Sequence, residues 1–192
     1  ILLLYNPRLA IIAGLIFGTF ILLRFQMLTS YVFVGDNEYS LSSRWEAWKI
    51  IFEIIKKNPV FGVGPANYYF YTPFYNILGY HVQFNSHNNY LDIIAQTGLI
   101  GLGLFFWWFY EIGKMGLALL KEKLTIFEHS FTIAVLGGLI ASLVAAFLGD
   151  WIIPFIYNIG MEGFRSAVLG WIFFGGLLFL QKKYKHQKVS PS

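Results

Sequence analysis

The chain has 192 residues, of which 57% are hydrophobic, 20% aromatic and only 12% charged, with a formal net charge of +4. That is too little polar surface for a soluble globule of this length, so composition alone reads as a membrane protein. Cysteine is absent, which excludes a disulfide framework, a thiolate metal site and a cysteine nucleophile; the basic residues sit beside apolar runs rather than on a polar domain, which excludes a nucleic-acid face.

The opening "ILLL" reads as the tail of an apolar helix ended by "YNPR", so the chain is expected to be the C-terminal portion of a longer protein. No basic n-region or small-residue cleavage site marks a signal peptide. A spanning helix needs roughly 20 mostly apolar residues. Four runs qualify: about Leu9 to Leu28, Tyr90 to Tyr110, Ser130 to Gly149 and Phe164 to Leu180. Lysine and arginine flanking the spans resist translocation. Arg8, then Lys114, Lys121 and Lys123, then "QKKYKHQK" therefore belong on the cytoplasmic side, and the segments at about 29–88 and 150–163 face outward. The predicted fold class is all-α, a polytopic transmembrane bundle of four spans with a large outer loop. Residues 1–28 hold the end of a preceding span and the first transmembrane helix, 29–88 the outer loop, 89–181 three further spans, and 182–192 a cytoplasmic tail.

Inside the outer loop, residues 42–58 are predicted to form an amphipathic helix. Ser43 with Glu46 makes a capping box at its start, and Asn58 with Pro59 stops it. Trp45, Trp48, Phe52 and Ile55 share one apolar stripe, so the helix is expected to lie on the membrane surface or to cap the bundle. Arg44 falls in the first turn, the unfavourable end for a cation, which hints at an anionic partner. Gly62 and Gly64 with Pro65 mark a turn where backbone can approach a ligand closely. The aromatic cluster from Tyr68 to Tyr75 suits the headgroup belt better than a sugar-stacking platform.

"NSHNN", residues 85–89, then meets the second apolar run directly. Ser86 is a plausible cap, which puts His87 in the first helical turn beside exposed backbone N–H groups. The helix dipole there favours the neutral, proton-accepting imidazole. A histidine at a membrane boundary is commonly a satisfied interfacial residue; Asn85, Asn88 and Asn89 around it raise the functional reading, since amides at a water-facing mouth can hold hydroxyls and phosphate oxygens. His81 lacks such a setting. Asp92 lies about 7.5 Å further along the helix. An acid at that depth must be paired or wet, with Gln96 one turn on as its nearest polar neighbour, and both read as supporting residues.

Taken together, Arg44-Trp45 with Trp48, then "NPVFGVGPANY", then "SHNNYLDIIAQTGLIGL" resemble the C-terminal domain of the O-antigen ligase and O-antigen polymerase family, over roughly Arg8 to Tyr110. The resemblance implies a multi-pass glycosyltransferase of the bacterial cytoplasmic membrane. Its donor would be an undecaprenyl-diphosphate-linked oligosaccharide or polysaccharide. Its acceptor would be a glycan, a lipid A core or a protein hydroxyl. The family's functional arginine and histidine map onto Arg44 and His87, while a further arginine of its ligases would fall before Ile1. Gln96 departs from the glutamate that members often carry there. The chemistry agrees: His87 can act as general base and Arg44 can clamp the leaving diphosphate, with Ser86, Asn88, Asn89, Gly62 and Gly64 lining the substrate and no cofactor or metal expected. The alternatives are a transporter of a small anion and an inactive structural membrane subunit.

Overall fold

The computed structural model describes residues 7–24, 36–153 and 156–189. Residues 1–6, the expected end of the first span at 25–28, the start of the outer loop at 29–35 and the tail end at 190–192 lie outside them. Among the described residues the elements are helices, with one isolated bridge between Ile77 and Tyr80. The chain divides into two compact units, Ile1–Glu46 and Ala47–Ser192.

In the first unit, α1 (Pro7–Leu23) has proline at its first position, where the missing N–H costs nothing. Leu9, Ile12, Leu15, Ile16 and Phe20 are all exposed, around more of the helix than a single core-facing stripe would occupy. The unit boundary falls within α2 (Asp36–Ile55). This helix starts six residues before the predicted Ser42. Inside it, the Ser42 hydroxyl donates to the Tyr39 carbonyl at 2.9 Å and the Ser43 hydroxyl to that of Ser40 at 3.0 Å. Serines satisfied in this way tolerate a helix interior and need not begin one.

The second unit has two cores. The outer one buries Ala47, Ile50, Ile51, Ile54 and Ile55 of α2 against Tyr68, Leu91 and Ala95. Of the predicted apolar stripe, Ile55 is buried in this core and Trp48 packs against it, while Trp45 and Phe52 are 59% and 51% exposed. The neighbouring Ile50, Ile51 and Ile54 complete the core, and the rings of Trp45 and Phe52 stay outside it. Fully burying Ile51 and Ile54 contributes roughly 1.5–3 kcal/mol each. Beyond a loop come α3 (Tyr68–Tyr71) and a 3-10 turn (Thr72–Phe74).

The inner core joins α4 (Asn89–Leu119), α5 (Ile126–Ala145) and α6 (Ile156–Val189), each packed on the other two. By length and composition, α4 and α5 are apolar enough to cross a membrane. Thr125 and Glu128 cap α5 reciprocally, and Glu128 also takes bonds from Lys183 at 2.7 Å and Tyr184 at 2.6 Å, tying α5 to α6.

α4 is not the single continuous span that the apolar run predicts. Gly98, at φ +67° and ψ −167°, interrupts it. The rings of Tyr90 and Phe106 stack with centroids 5.5 Å apart. Sixteen residues of straight helix would separate them by about 24 Å. The chain therefore folds back at Gly98, leaving an outer arm, 89–97, and a long arm, 99–119. The long arm by itself measures about 31 Å, enough for a hydrocarbon core. Its residues Leu99, Leu104, Trp107 and Tyr110 are exposed, whereas the outer arm is almost wholly buried.

Loop 59–64 fits into this break. Val63 and Gly64 donate to the carbonyls of Ala95 and Gln96 at 2.9 and 3.0 Å, and Leu99 and Ile100 donate to those of Pro59 and Val60 at 2.9 and 3.3 Å. One end of each arm is thus capped by the loop, as buried backbone requires.

Candidate functional site

The site is assembled where loop 84–88 enters the outer arm. The Trp48 indole N–H donates to the Ser86 carbonyl at 2.7 Å, fastening the loop to α2. The cap of α4 is Asn88 rather than Ser86: its side-chain oxygen accepts from the N–H groups of Tyr90 and Leu91 at 3.0 and 3.2 Å. Ser86 is buried one step behind, accepting from Asn88 N–H at 2.9 Å. Its hydroxyl lies 2.7 Å from Asp92 Oδ1 and 2.8 Å from the Asn88 carbonyl, with one proton for the two.

His87 sits between these buried neighbours and is itself exposed. It precedes the helix rather than occupying its first turn, and its φ of +49° puts it in the left-handed region. A non-glycine residue held there carries strain on the order of 1–3 kcal/mol. The turn sends Ser86 and Asn88 inward and His87 outward. The backbone donors expected beside it are already used: Asn89 N–H bonds to the Ala146 carbonyl at 2.9 Å, Tyr90 and Leu91 to the cap, and Asp92 to the Asn88 carbonyl at 3.0 Å. Bound anion would find no unpaired N–H at these four positions.

Asn89 is fully buried, and its amide is occupied by the turn between α5 and α6. It donates to Asp150 Oδ1 at 3.3 Å and to the Ile153 carbonyl at 3.1 Å, and accepts from the N–H groups of Ile152 and Ile153. Asp92 is fully buried as well, and its Oδ1 accepts from the Tyr68 hydroxyl at 2.5 Å. Gln96 bridges loop and helix, accepting from Ala66 N–H at 2.7 Å and donating to the Asp92 carbonyl at 3.0 Å. Gly62, at φ +72°, faces the backbone of Gln96, which a Cβ would strike. Gly64 packs on the Asn67 side chain. Both glycines serve the loop's seat in the α4 break.

Arg44 is half-exposed on α2. Because α2 begins at Asp36, Arg44 lies in the third turn, and the argument from an unfavourable helix end does not apply to it. His81 is exposed, with Nδ1 3.1 Å from the Pro73 carbonyl.

Two residues of this cluster were not anticipated. Tyr68 belongs to the aromatic run assigned to the headgroup belt, yet it is completely buried on Asp92. Asp150 lies 58 residues beyond Asp92, and its carboxyl is within hydrogen-bonding reach of that of Asp92. Burial pushes the Asp150 carboxyl above the usual range, opposed by its bond with Asp92 and by the charge of nearby His87. The sequence signal for it is one acid in "LGDWII", set between apolar runs.

A sequence model of a family described as O-antigen ligase matches residues 1–106, more than half of the chain. Neither a curated protein nor a solved structure matches.

Proposed function

The chain belongs to the O-antigen ligase family, and from that premise we propose that it transfers or polymerises a glycan carried on undecaprenyl diphosphate at the outer face of the bacterial cytoplasmic membrane. The observation that carries this reading is His87, exposed in a left-handed turn between buried Ser86 and Asn88.

In the proposed reaction the acceptor hydroxyl gives its proton to the His87 imidazole as its oxygen attacks the anomeric carbon of the donor sugar. The bond from that carbon to the diphosphate oxygen breaks, and undecaprenyl diphosphate leaves with the electron pair. A general base contributes typically 10²–10⁴-fold to such a step. Arg44 supplies the positive charge that stabilises the departing diphosphate. Because the N–H groups of Asn89, Tyr90, Leu91 and Asp92 are already bonded, the proposal gives the helix terminus no part in holding the diphosphate.

The broken helix at Gly98 is the feature an anion transporter would use. Here the carbonyls of Ala95 and Gln96 and the amides of Leu99 and Ile100, on either side of the break, are bonded to loop 59–64, which favours the transferase reading.

His87→Ala and Arg44→Ala in the full-length protein are each expected to abolish surface glycan and to accumulate the lipid-linked intermediate. Normal glycan in both variants would overturn the proposal. Chain lengths in a strain lacking the gene separate the two activities: single repeats mark a lost polymerase, intact lipid-linked polymer a lost ligase.

A further inference from the structure

Asp92 and Asp150 come from different elements, the outer arm of α4 and the turn between α5 and α6. One oxygen of each is satisfied: Asp92 Oδ1 by Tyr68 and Ser86, Asp150 Oδ1 by Asn89. The remaining oxygens, Asp92 Oδ2 and Asp150 Oδ2, are buried and accept no bond from any other donor among the described residues. Yet the two carboxyl groups lie within hydrogen-bonding reach of each other. Two carboxylates cannot bond, and two adjacent buried negative charges repel strongly. One proton on either oxygen turns the contact into a strong charge-assisted hydrogen bond and leaves a single negative charge on the pair.

We propose that Asp92 and Asp150 share one proton, and that the single negative charge they keep is the counter-charge of His87, making Asp150 a positioning residue for that histidine. The geometry supports each half. Tyr68 and Ser86 hold the Asp92 carboxyl and Asn89 holds that of Asp150, so the pair is fixed from both sides. His87 follows Ser86, which bonds to Asp92 at 2.7 Å, and stands two residues before Asn89, which holds Asp150 at 3.3 Å, so the chain keeps it beside the pair. Among the described residues, the titratable groups facing the pair are Tyr68 on α3 and His87 on the loop before α4. When His87 takes a proton, the pair's charge stabilises the resulting imidazolium, as a carboxylate does for a catalytic histidine elsewhere. The second half rests on the proposed function; the first does not.

Two measurements separate the halves. The first is infrared difference spectroscopy on the purified full-length protein at neutral pH. A protonated-carboxyl band, lost in both Asp92→Asn and Asp150→Asn, is expected. Absence of that band in the unsubstituted protein overturns the shared proton, whatever the activity. The second is the pH dependence of transfer from purified lipid-linked glycan. Asp92→Asn donates a permanent amide N–H to Asp150 where the acid donates its proton, and so keeps the acid limb in place. Asp150→Asn moves the charge onto Asp92, further from His87, and is expected to shift the acid limb downward by about one pH unit. An unmoved limb in Asp150→Asn, with the band gone, overturns the link to His87. A band that persists while His87→Ala remains active overturns the proposed function and leaves the shared proton standing.

Discussion

His87, Asn88 and Asn89 are adjacent, yet each is used differently. The left-handed turn at His87 leaves the imidazole exposed, Asn88 caps the helix with its side-chain oxygen, and Asn89 spends its amide on Asp150, Ile152 and Ile153. A run of amides reads in sequence as a ligand-binding mouth because nothing local tells a solvent-facing amide from a buried one. The distinction comes from residues some 60 positions away. Asn88→Ala is expected to cost about 1 kcal/mol in stability through the lost cap. Asn89→Ala, which strands several buried backbone groups, is expected to cost roughly 2–4 kcal/mol. Thermal unfolding in detergent measures both, and KM of the folded fraction should not change; a raised KM in Asn89→Ala with unchanged stability would return that amide to the substrate site.

At the scale of elements, the decisive feature is the break in α4. The apolar run from Tyr90 to Tyr110 is legible as a span, and the glycines within it read equally well as packing positions. That Gly98 adopts positive φ depends on loop 59–64 bonding to both sides of it. A Cβ at Gly98 would collide with the Val60 carbonyl. Gly98→Ala therefore adds strain to a steric clash and is expected to destabilise the outer arm by at least about 2 kcal/mol. Hydrogen exchange gives the test: faster exchange of Leu99 and Ile100 amides, with the α5–α6 contacts unchanged. Protection equal to that of the unsubstituted protein would mean that the break does not depend on this glycine. The amphipathic α2 was legible as a helix, but which of its apolar positions are buried was not: packing against Tyr68 and Leu91 takes in Ile51, Ile54 and Ile55 and leaves Trp45 and Phe52 exposed.

At the scale of the molecule, the proposed orientation puts loop 59–88 outside and the α4–α5 turn inside. The chain has no cysteine, so single introduced thiols report position cleanly. Leu78→Cys, at an exposed loop residue, is expected to react with an impermeant maleimide in intact spheroplasts, and Lys123→Cys only after permeabilisation. The reverse pattern would invert the topology and take His87 away from any outward-facing substrate. By itself the sequence determined the helical, membrane-associated character of the protein, its family and the order of its apolar runs, because hydropathy and motif order are properties of the chain read locally. Only the tertiary structure decided that the second run folds back on itself, that Asn89 is a strut and that Asp92 meets Asp150. Each of these depends on which distant backbone or carboxyl group fills the last unsatisfied bond, and burial makes leaving such a bond unfilled too costly.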